Sequence, residues 1–416
     1  MSLTKEEHSL VRLSALGGML ELYDFAIYGT FSIYFIQKFF PSGNSLLTMI
    51  ETLSVLLLGF VLRPLGGILF SILGDKNGRK NILIITVFIM GFSSLGIAFL
   101  PTYVQVGLLA PILLIILRLF QGLAVGGEVP TTFVFLEESL SEDKKIYAFS
   151  IAMSGIFCGY LLAFLLQYLL INSFSDKLIE DYIWRVPFIV GGVLCFISFF
   201  IRKNLHETNA FKEIEKKQPL PFSSLFTKYK VNLLIGIFIS ATQQVYSILA
   251  IIFMPNYLFN FVKLDHGYIN HLMVIIVIAT VLVCIITGLL SNKVSNFNLM
   301  YRKILLINLV IIATCFFLMK LGFILSGLLI FMIGHGVTGV FVPLNLSRLF
   351  PTKIRLRGVA MSYNISILVL GGTIPVLITY LIKVTNGVYW VPALILSSIM
   401  LITWYLFSYL QPNVDA

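Results

Sequence analysis

Twelve apolar runs, each long enough to cross a bilayer, follow one another along this chain. They fall near residues 13–37, 47–73, 81–100, 107–136, 146–171, 184–201, 230–259, 270–291, 303–320, 323–347, 357–382 and 388–410. A spanning helix needs about 20 predominantly apolar residues, and in lipid every backbone polar group must be satisfied within the element. The pattern predicts an all-α polytopic membrane protein. Composition points the same way: of 416 residues 58% are hydrophobic and 12% charged, too few charges to cover a water-soluble domain of this size.

The longest polar interruption, Arg202 to Lys230, follows the sixth run. It predicts an N-terminal six-helix half over residues 1–201, a cytoplasmic linker loop over 202–229 and a C-terminal six-helix half over 230–416. An even number of spans places both termini on one side of the membrane. With the N-terminus and loops 2–3, 4–5, 6–7, 8–9 and 10–11 on the cytoplasmic side, that side holds 21 of the 29 Lys and Arg residues. The opposite side holds 6, and Arg63 and Arg118 lie within spans. A bias of this size predicts cytoplasmic termini in a bacterial-type inner membrane.

The net charge of +10 is scattered among short loops, so it reads as topology, and no nucleic-acid partner is expected. Met1 to Leu13 lacks a signal-peptide core, so the first helix is retained. The four cysteines, Cys158, Cys195, Cys284 and Cys315, all sit in apolar runs without metal-ligand spacing and read as packing residues. No cofactor or metal is expected. There is no His-Glu-x-x-His, no Walker loop and no nucleophile motif to support an enzyme.

The halves share one short pattern: Gly126 and Pro130 in the fourth run match Gly339 and Pro343 in the tenth, both as G-x-x-x-P. With the six-plus-six division, it predicts two halves rocking about a central cavity.

A charge near the bilayer centre costs about 3 kcal/mol on insertion scales, so it is paired and functional by default. The first run carries Glu21 and Asp24, three residues apart on one helical face, and Gly17 and Tyr28 continue that stripe. Asp24 lies eleven residues into its run, or roughly 16 Å at 1.5 Å per residue, close to the midplane. Arg63 and Arg118 stand at similar depth, with Gln121 one turn beyond Arg118 and Glu128 lower. The competing reading is a set of fixed ion pairs that only lock helices together, and for Arg63, beside Pro64 and Gly66-Gly67, a tight helix contact.

A carboxylate whose proton affinity changes as its cationic partner leaves or returns can take up and release a proton within the membrane. Asp24 alternating with Arg118 fits this description, with Glu21 and Glu128 as further proton-coupling candidates. Arg118 can also hold a substrate carboxylate through its planar fork. Gln121, Tyr28 and Arg63 join it as substrate-binding candidates, with Gln243, Gln244, Tyr246, His335 and Asn364 in the second half. Two mid-membrane arginines make a small carboxylate-bearing solute the expected partner, besides protons and the lipid bilayer, and a monomer is expected.

The loop Gly74-Asp75-Lys76-Asn77-Gly78-Arg79-Lys80 joins the second and third runs. On its own it is a basic turn. Its G-D-x-x-G-R-K pattern resembles the loop signature of the major facilitator superfamily of transporters. Within that superfamily the chain resembles the metabolite:proton symporter family, to which proline/betaine, 2-oxoglutarate and citrate transporters belong. The matching pieces include Gly17 to Phe25 with Tyr28 and Gly29, Leu62 to Gly67, Arg118 to Gly122, and Gly126 to Glu128. Trp184 to Phe188, Leu205 to Thr208, Leu349 to Thr352, Arg357-Gly358 and Gly371-Gly372 with Pro375 continue the series in order.

The resemblance implies a major facilitator fold of twelve helices and proton-coupled uptake of a small metabolite by alternating access. Asp75, Gly78 and Arg79 are then gating residues, with Asp75 facing the start of the eleventh helix and its basic residues Arg355 to Arg357. Osmosensing members carry a long C-terminal coiled coil, whereas only Gln411 to Ala416 follow the twelfth run here, so that control is not expected. An exporter on the same fold would carry a proline in the fifth helix, and the run SGIFCGYLLAFLLQ has none. A membrane sensor is the remaining alternative, and it has no need of mid-membrane charges.

Overall fold

In a computed structural model of the protein, residues 3–41, 55, 58–203, 220–260, 262–290, 296–385 and 390–408 are described. The helices are α1 (Lys5–Phe39), α2 (Arg63–Asn77), α3 (Arg79–Phe99), α4 (Leu109–Ser139), α5 (Lys145–Ser173) and α6 (Arg185–Arg202). They continue with α7 (Lys230–Ile248), α8 (His266–Leu289), α9 (Phe297–Lys320), α10 (Ile324–Arg348), α11 (Arg355–Ser366) and α12 (Val391–Ser408). π-Helical turns carry α7 on into Met254–Asn260 and α11 on into Gly372–Val384. Ten of these segments are long and apolar enough to cross a membrane, among the described residues. α1 is not one of the ten, because Glu21 and Asp24 sit in its middle.

The surface is inverted relative to a water-soluble protein. Phe92, Phe200 and Val310 are more than half exposed, whereas Arg79, Arg202 and Glu128 are fully buried. Exposed apolar side chains match lipid, and the charges turn inward because lipid cannot solvate them.

The loop between α2 and α3 is shorter than its charges imply. Helical bonding runs through Asn77, and the Gly78 N–H still donates to the Gly74 carbonyl at 3.2 Å. The chain breaks only at Gly78, whose φ of 92° is a conformation that side-chain-bearing residues avoid. Asp75 therefore lies in the last turn of α2 and pairs with Arg79 at the start of α3, 3.3 Å away. At the start of α11, Arg355 pairs with Glu138 and Arg357 donates to the Leu220 carbonyl.

The chain groups into two compact units. One comprises Leu13–Thr132 and Gly155–Glu207. Its core is Leu20 of α1, Val87 and Met90 of α3, Ala124 and Val125 of α4 and Cys195 of α6. α4 touches the start of α2 and the turn before it backbone to backbone, since a Cβ at Gly126 would overlap the Arg63 carbonyl and one at Gly122 the Gly59 carbonyl. That approach places Arg63 and Arg118 on neighbouring helices at one level. Tyr23 fixes α1 to α6 by donating to the Pro187 carbonyl at 2.8 Å. In the α5–α6 connector, Asp181 accepts from Lys38 at 2.9 Å, which holds its carboxyl below the ordinary aspartate value.

The other unit comprises Met1–Arg12, Phe133–Ser154 and Thr208–Ala416. It holds α7 to α12 together with the end of α4 and the start of α5. Pro130 and Pro343 both lie inside their helices, α4 and α10. Asp265 caps α8 by accepting from Gly267 and Tyr268, and Asn296 caps α9 by accepting from Leu299. Leu205 to Thr208, most of the linker, and Gln411 to Ala416 lie outside the described residues.

Candidate functional site

Within the first unit, α1, α2, α3 and α4 bring four charges around one small pocket. It is lined by Glu21, Asp24, Arg63, Arg118 and Gln121, with Phe25 and Phe60 among the apolar residues. Each acid meets one arginine: Glu21 Oε1 lies 3.2 Å from Arg63, and Asp24 Oδ2 lies 3.4 Å from Arg118. The four formal charges cancel.

Asp24 is held mainly by neutral donors. Its Oδ1 accepts from the Ser94 hydroxyl at 2.7 Å and from Gln121 Nε2 at 2.8 Å. Gln121 Nε2 also reaches Ser94 Oγ at 2.9 Å, and its Oε1 accepts from Arg118 Nη1 at 2.8 Å. The Arg118 guanidinium lies over the Tyr28 ring at 3.8 Å, and Arg63 lies over Phe60 at 5.0 Å. Arg118 is thus supported by an amide and an aromatic face as well as by Asp24, and its bond to Asp24 is the long one. A cation supported in this way survives a weakening of its carboxylate contact. Glu21 Oε2 and the Tyr28 hydroxyl are buried and have no hydrogen-bond partner among the described residues.

Glu128 is not in this pocket. It forms a fully buried pair with Arg202 of α6, 2.7 Å apart, and its other oxygen accepts from the Thr86 hydroxyl. Arg202 also donates to the carbonyls of Leu83 and Leu13, at 2.6 and 3.3 Å. On sequence Arg202 belongs to the linker; the structure encloses it, because α6 extends through it and brings its side chain back among α1, α3 and α4. Gly17 makes room for the pair, since a Cβ there would overlap both the guanidinium and the Glu128 carboxylate. Gly17→Ala is expected to lower thermal stability and membrane abundance sharply, because parting a buried ion pair costs about 3–5 kcal/mol. An unchanged unfolding temperature of the purified variant would show that α1 moves aside freely.

In the second unit the candidate polar residues form separate contacts. Gln243 accepts from Thr338 at 2.8 Å, and His335 Nε2 is 2.9 Å from the Ser247 hydroxyl. Gln244 donates to the Tyr363 carbonyl at 2.9 Å, and Tyr246 donates to Asn308 at 2.8 Å. Asn364 is fully buried and donates to the Ala360 carbonyl of its own helix, 2.8 Å away. Gln243, Ser247, His335 and Thr338 make one polar patch across α7 and α10, whereas Tyr246 packs against Phe331 at 4.6 Å.

Sequence reading missed Ser94, Ser247, Thr338 and Asn308, since one helical hydroxyl or amide carries little signal against the many that bond their own helix. It also missed a charge cluster at the ends of α4, α5, α10 and α11. There Lys145 lies 2.6 Å from both Glu137 and Glu142, and Arg348 pairs with the same two acids. Arg355 completes it on Glu138 at 3.5 Å.

Comparison with known proteins adds four findings. A family model described as Major Facilitator Superfamily matches residues 14–376. The Proline/betaine transporter of Escherichia coli is 32% identical, over 90% of this chain and 77% of its own length. The Alpha-ketoglutarate permease of Escherichia coli is 30% identical, over 86% of this chain and 83% of its own. Among solved structures, the proton:xylose symporter XylE superposes with a TM-score of 0.78 over 96% of this chain and 95% of that one, at 15% identity. That likeness is one of fold.

Proposed function

The chain belongs to the Major Facilitator Superfamily of multi-pass membrane transporters, and on that premise we propose proton-coupled uptake of a small zwitterionic metabolite, an amino acid or betaine, by alternating access. The observation that carries this reading is the charge balance of the pocket, with Glu21 against Arg63 and Asp24 against Arg118. A dianion entering such a site would leave its second charge uncompensated. A zwitterion fits once Asp24 is protonated: its carboxylate takes the place of Asp24 on Arg118, and its cationic end meets the open oxygen of Glu21. The relatives named for proline/betaine and for alpha-ketoglutarate both support a carboxylate-bearing solute.

Proton coupling follows from the same exchange. Protonation cancels the Asp24 charge and frees Arg118 for substrate; release of both on the other side restores the pair. We place the protein in a bacterial cytoplasmic membrane, as a monomer with both termini inside, with residues 1–201 and 230–416 as the moving halves.

Two measurements test the proposal. Ligand binding to the folded state raises the unfolding temperature, so amino acids and betaines should shift it more than dicarboxylates do. In proteoliposomes, an inward proton gradient should drive accumulation of L-proline or glycine betaine, and removal of sodium should not matter. A sodium requirement with indifference to pH would overturn the coupling, and a thermal shift only with dicarboxylates would overturn the substrate class.

A further inference from the structure

Three groups bond to Asp24: Arg118, Gln121 and Ser94. The Arg118 nitrogen and the Gln121 amide nitrogen can only donate, so both suit the ionised carboxylate and neither can receive the proton of the neutral acid. Arg118 fixes the orientation of Gln121, because the amide oxygen must face the guanidinium at 2.8 Å. The amide cannot flip to offer its oxygen to Asp24 without abandoning that bond. Ser94 differs in kind. Its hydroxyl carries one hydrogen and two lone pairs, it is buried, and its oxygen is 2.7 Å from Oδ1.

From this geometry we propose that Ser94 is the positioning residue that stays bonded to Asp24 in both protonation states, as donor to the carboxylate and as acceptor from the acid. In the ionised state Ser94 donates to Oδ1. In the protonated state the hydrogen on Oδ1 is donated to Ser94 Oγ, and the serine hydroxyl turns its own hydrogen away from Asp24. The single proton gained on Asp24 is the one later released, and Ser94 keeps its own hydrogen throughout. The inference rests on the reading of Asp24 as the proton-coupling acid.

The other charged or titratable groups around Asp24 are Arg118 on α4, Arg63 on α2, Cys195 on α6, and Glu21 and Tyr23 on its own helix. Of these, Arg118 pairs with it directly. The Arg118 guanidinium cannot accept a hydrogen bond, and the Tyr23 hydroxyl is turned to the Pro187 carbonyl.

The test is an infrared pH titration of the full-length purified transporter in lipid, following the carbonyl stretch of protonated carboxyl groups. The probe is the proton alone, so the result is independent of substrate identity. Wild type should show a band that Asp24→Asn removes. Ser94→Ala should move the midpoint of that band about one pH unit higher, a tenfold change in proton affinity. The direction follows because the charged state loses a stronger hydrogen bond than the neutral state does. The band should also move to higher frequency as the acid loses its acceptor, and Ser94→Thr should restore both. An Asp24 band whose midpoint and frequency are unchanged in Ser94→Ala would reduce Ser94 to packing and overturn the inference. If Asp24→Asn removes no band, the coupling reading itself fails, and the role of Ser94 falls with it.

Discussion

Asp24→Asn is expected to abolish uphill accumulation while leaving substrate binding and counterflow exchange largely intact. Asparagine keeps the shape of aspartate and can still accept from Ser94, so the packing of α1 against α3 and α4 survives. What disappears is the carriage of a proton, and with it the link between the pH gradient and substrate movement. Accumulation should stop at the external concentration and lose its pH dependence. Arg118→Ala should be more damaging. It removes the proposed carboxylate partner and leaves the oxygen of Gln121 without its donor. Charge-assisted hydrogen bonds contribute about 1.5–3 kcal/mol each, so the loss of two weakens binding by about 100-fold or more. Arg118→Lys should recover little, because an ammonium cannot lie flat on Tyr28 while reaching Gln121 and Asp24 together. Tracer exchange and gradient-driven uptake in the same proteoliposomes separate these outcomes. If Asp24→Asn still concentrates substrate, coupling passes first to Glu21, which shares the pocket and keeps one oxygen open. Glu128 is a poorer successor, since Arg202 and Thr86 enclose it.

What was legible in the sequence follows from the cost of charge in lipid. The apolar runs had to be helices, and Glu21, Asp24, Arg63 and Arg118 had to find partners, so reading them as one cluster needed only matching depth. The structure brings those four around one pocket. It also separates Glu128 from them, and no rule of spacing reveals why. The partner, Arg202, stands at the end of a run, where an arginine ordinarily reaches out to the interface. Its burial depends on Gly17 of α1, a contact between residues nearly two hundred positions apart. Ser94 was illegible for a different reason. α3 carries two adjacent serines, one bonding its own helix and one bonding Asp24, and only tertiary packing distinguishes them. In α2 the G-D-x-x-G-R-K pattern located the break between helices, but the charges overstated its length. Asp75 and Arg79 are buried helical residues joined across Gly78, a constraint on helix geometry before any role in gating.

The charge cluster at the ends of α4, α5, α10 and α11 leads to the second large expected effect. Sequence analysis counted Lys145, Arg348 and Arg355 as loop charges that set topology. The structure gives them specific acids: Glu137 and Glu142 for Lys145 and Arg348, and Glu138 for Arg355. Glu137 is the hub, buried between an α5 cation at 2.6 Å and an α10 cation at 3.4 Å. These contacts join helices of the first six to helices of the second six, on the side proposed to be cytoplasmic. In an alternating-access cycle they must part for substrate to leave inward. Glu137→Gln preserves shape and removes the shared anion, so the inward-open population should rise and net uptake should fall at least tenfold. A shift of 1.4 kcal/mol between the states suffices for that factor, and removal of one partner from a buried pair costs more. Accessibility reports the population directly. Ser347 is buried in the last turn of α10, so a Ser347→Cys reporter in a cysteine-free background should react slowly with a membrane-impermeant thiol reagent. It should react faster once Glu137→Gln is added. Arg348→Gln should produce an acceleration in the same direction, and the double variant should fall short of the sum of the two, because the Glu137–Arg348 pair is lost in both. Additive effects would show that Glu137 and Arg348 act separately. An unchanged labelling rate in both single variants would mean that the cluster only fastens loops and takes no part in opening.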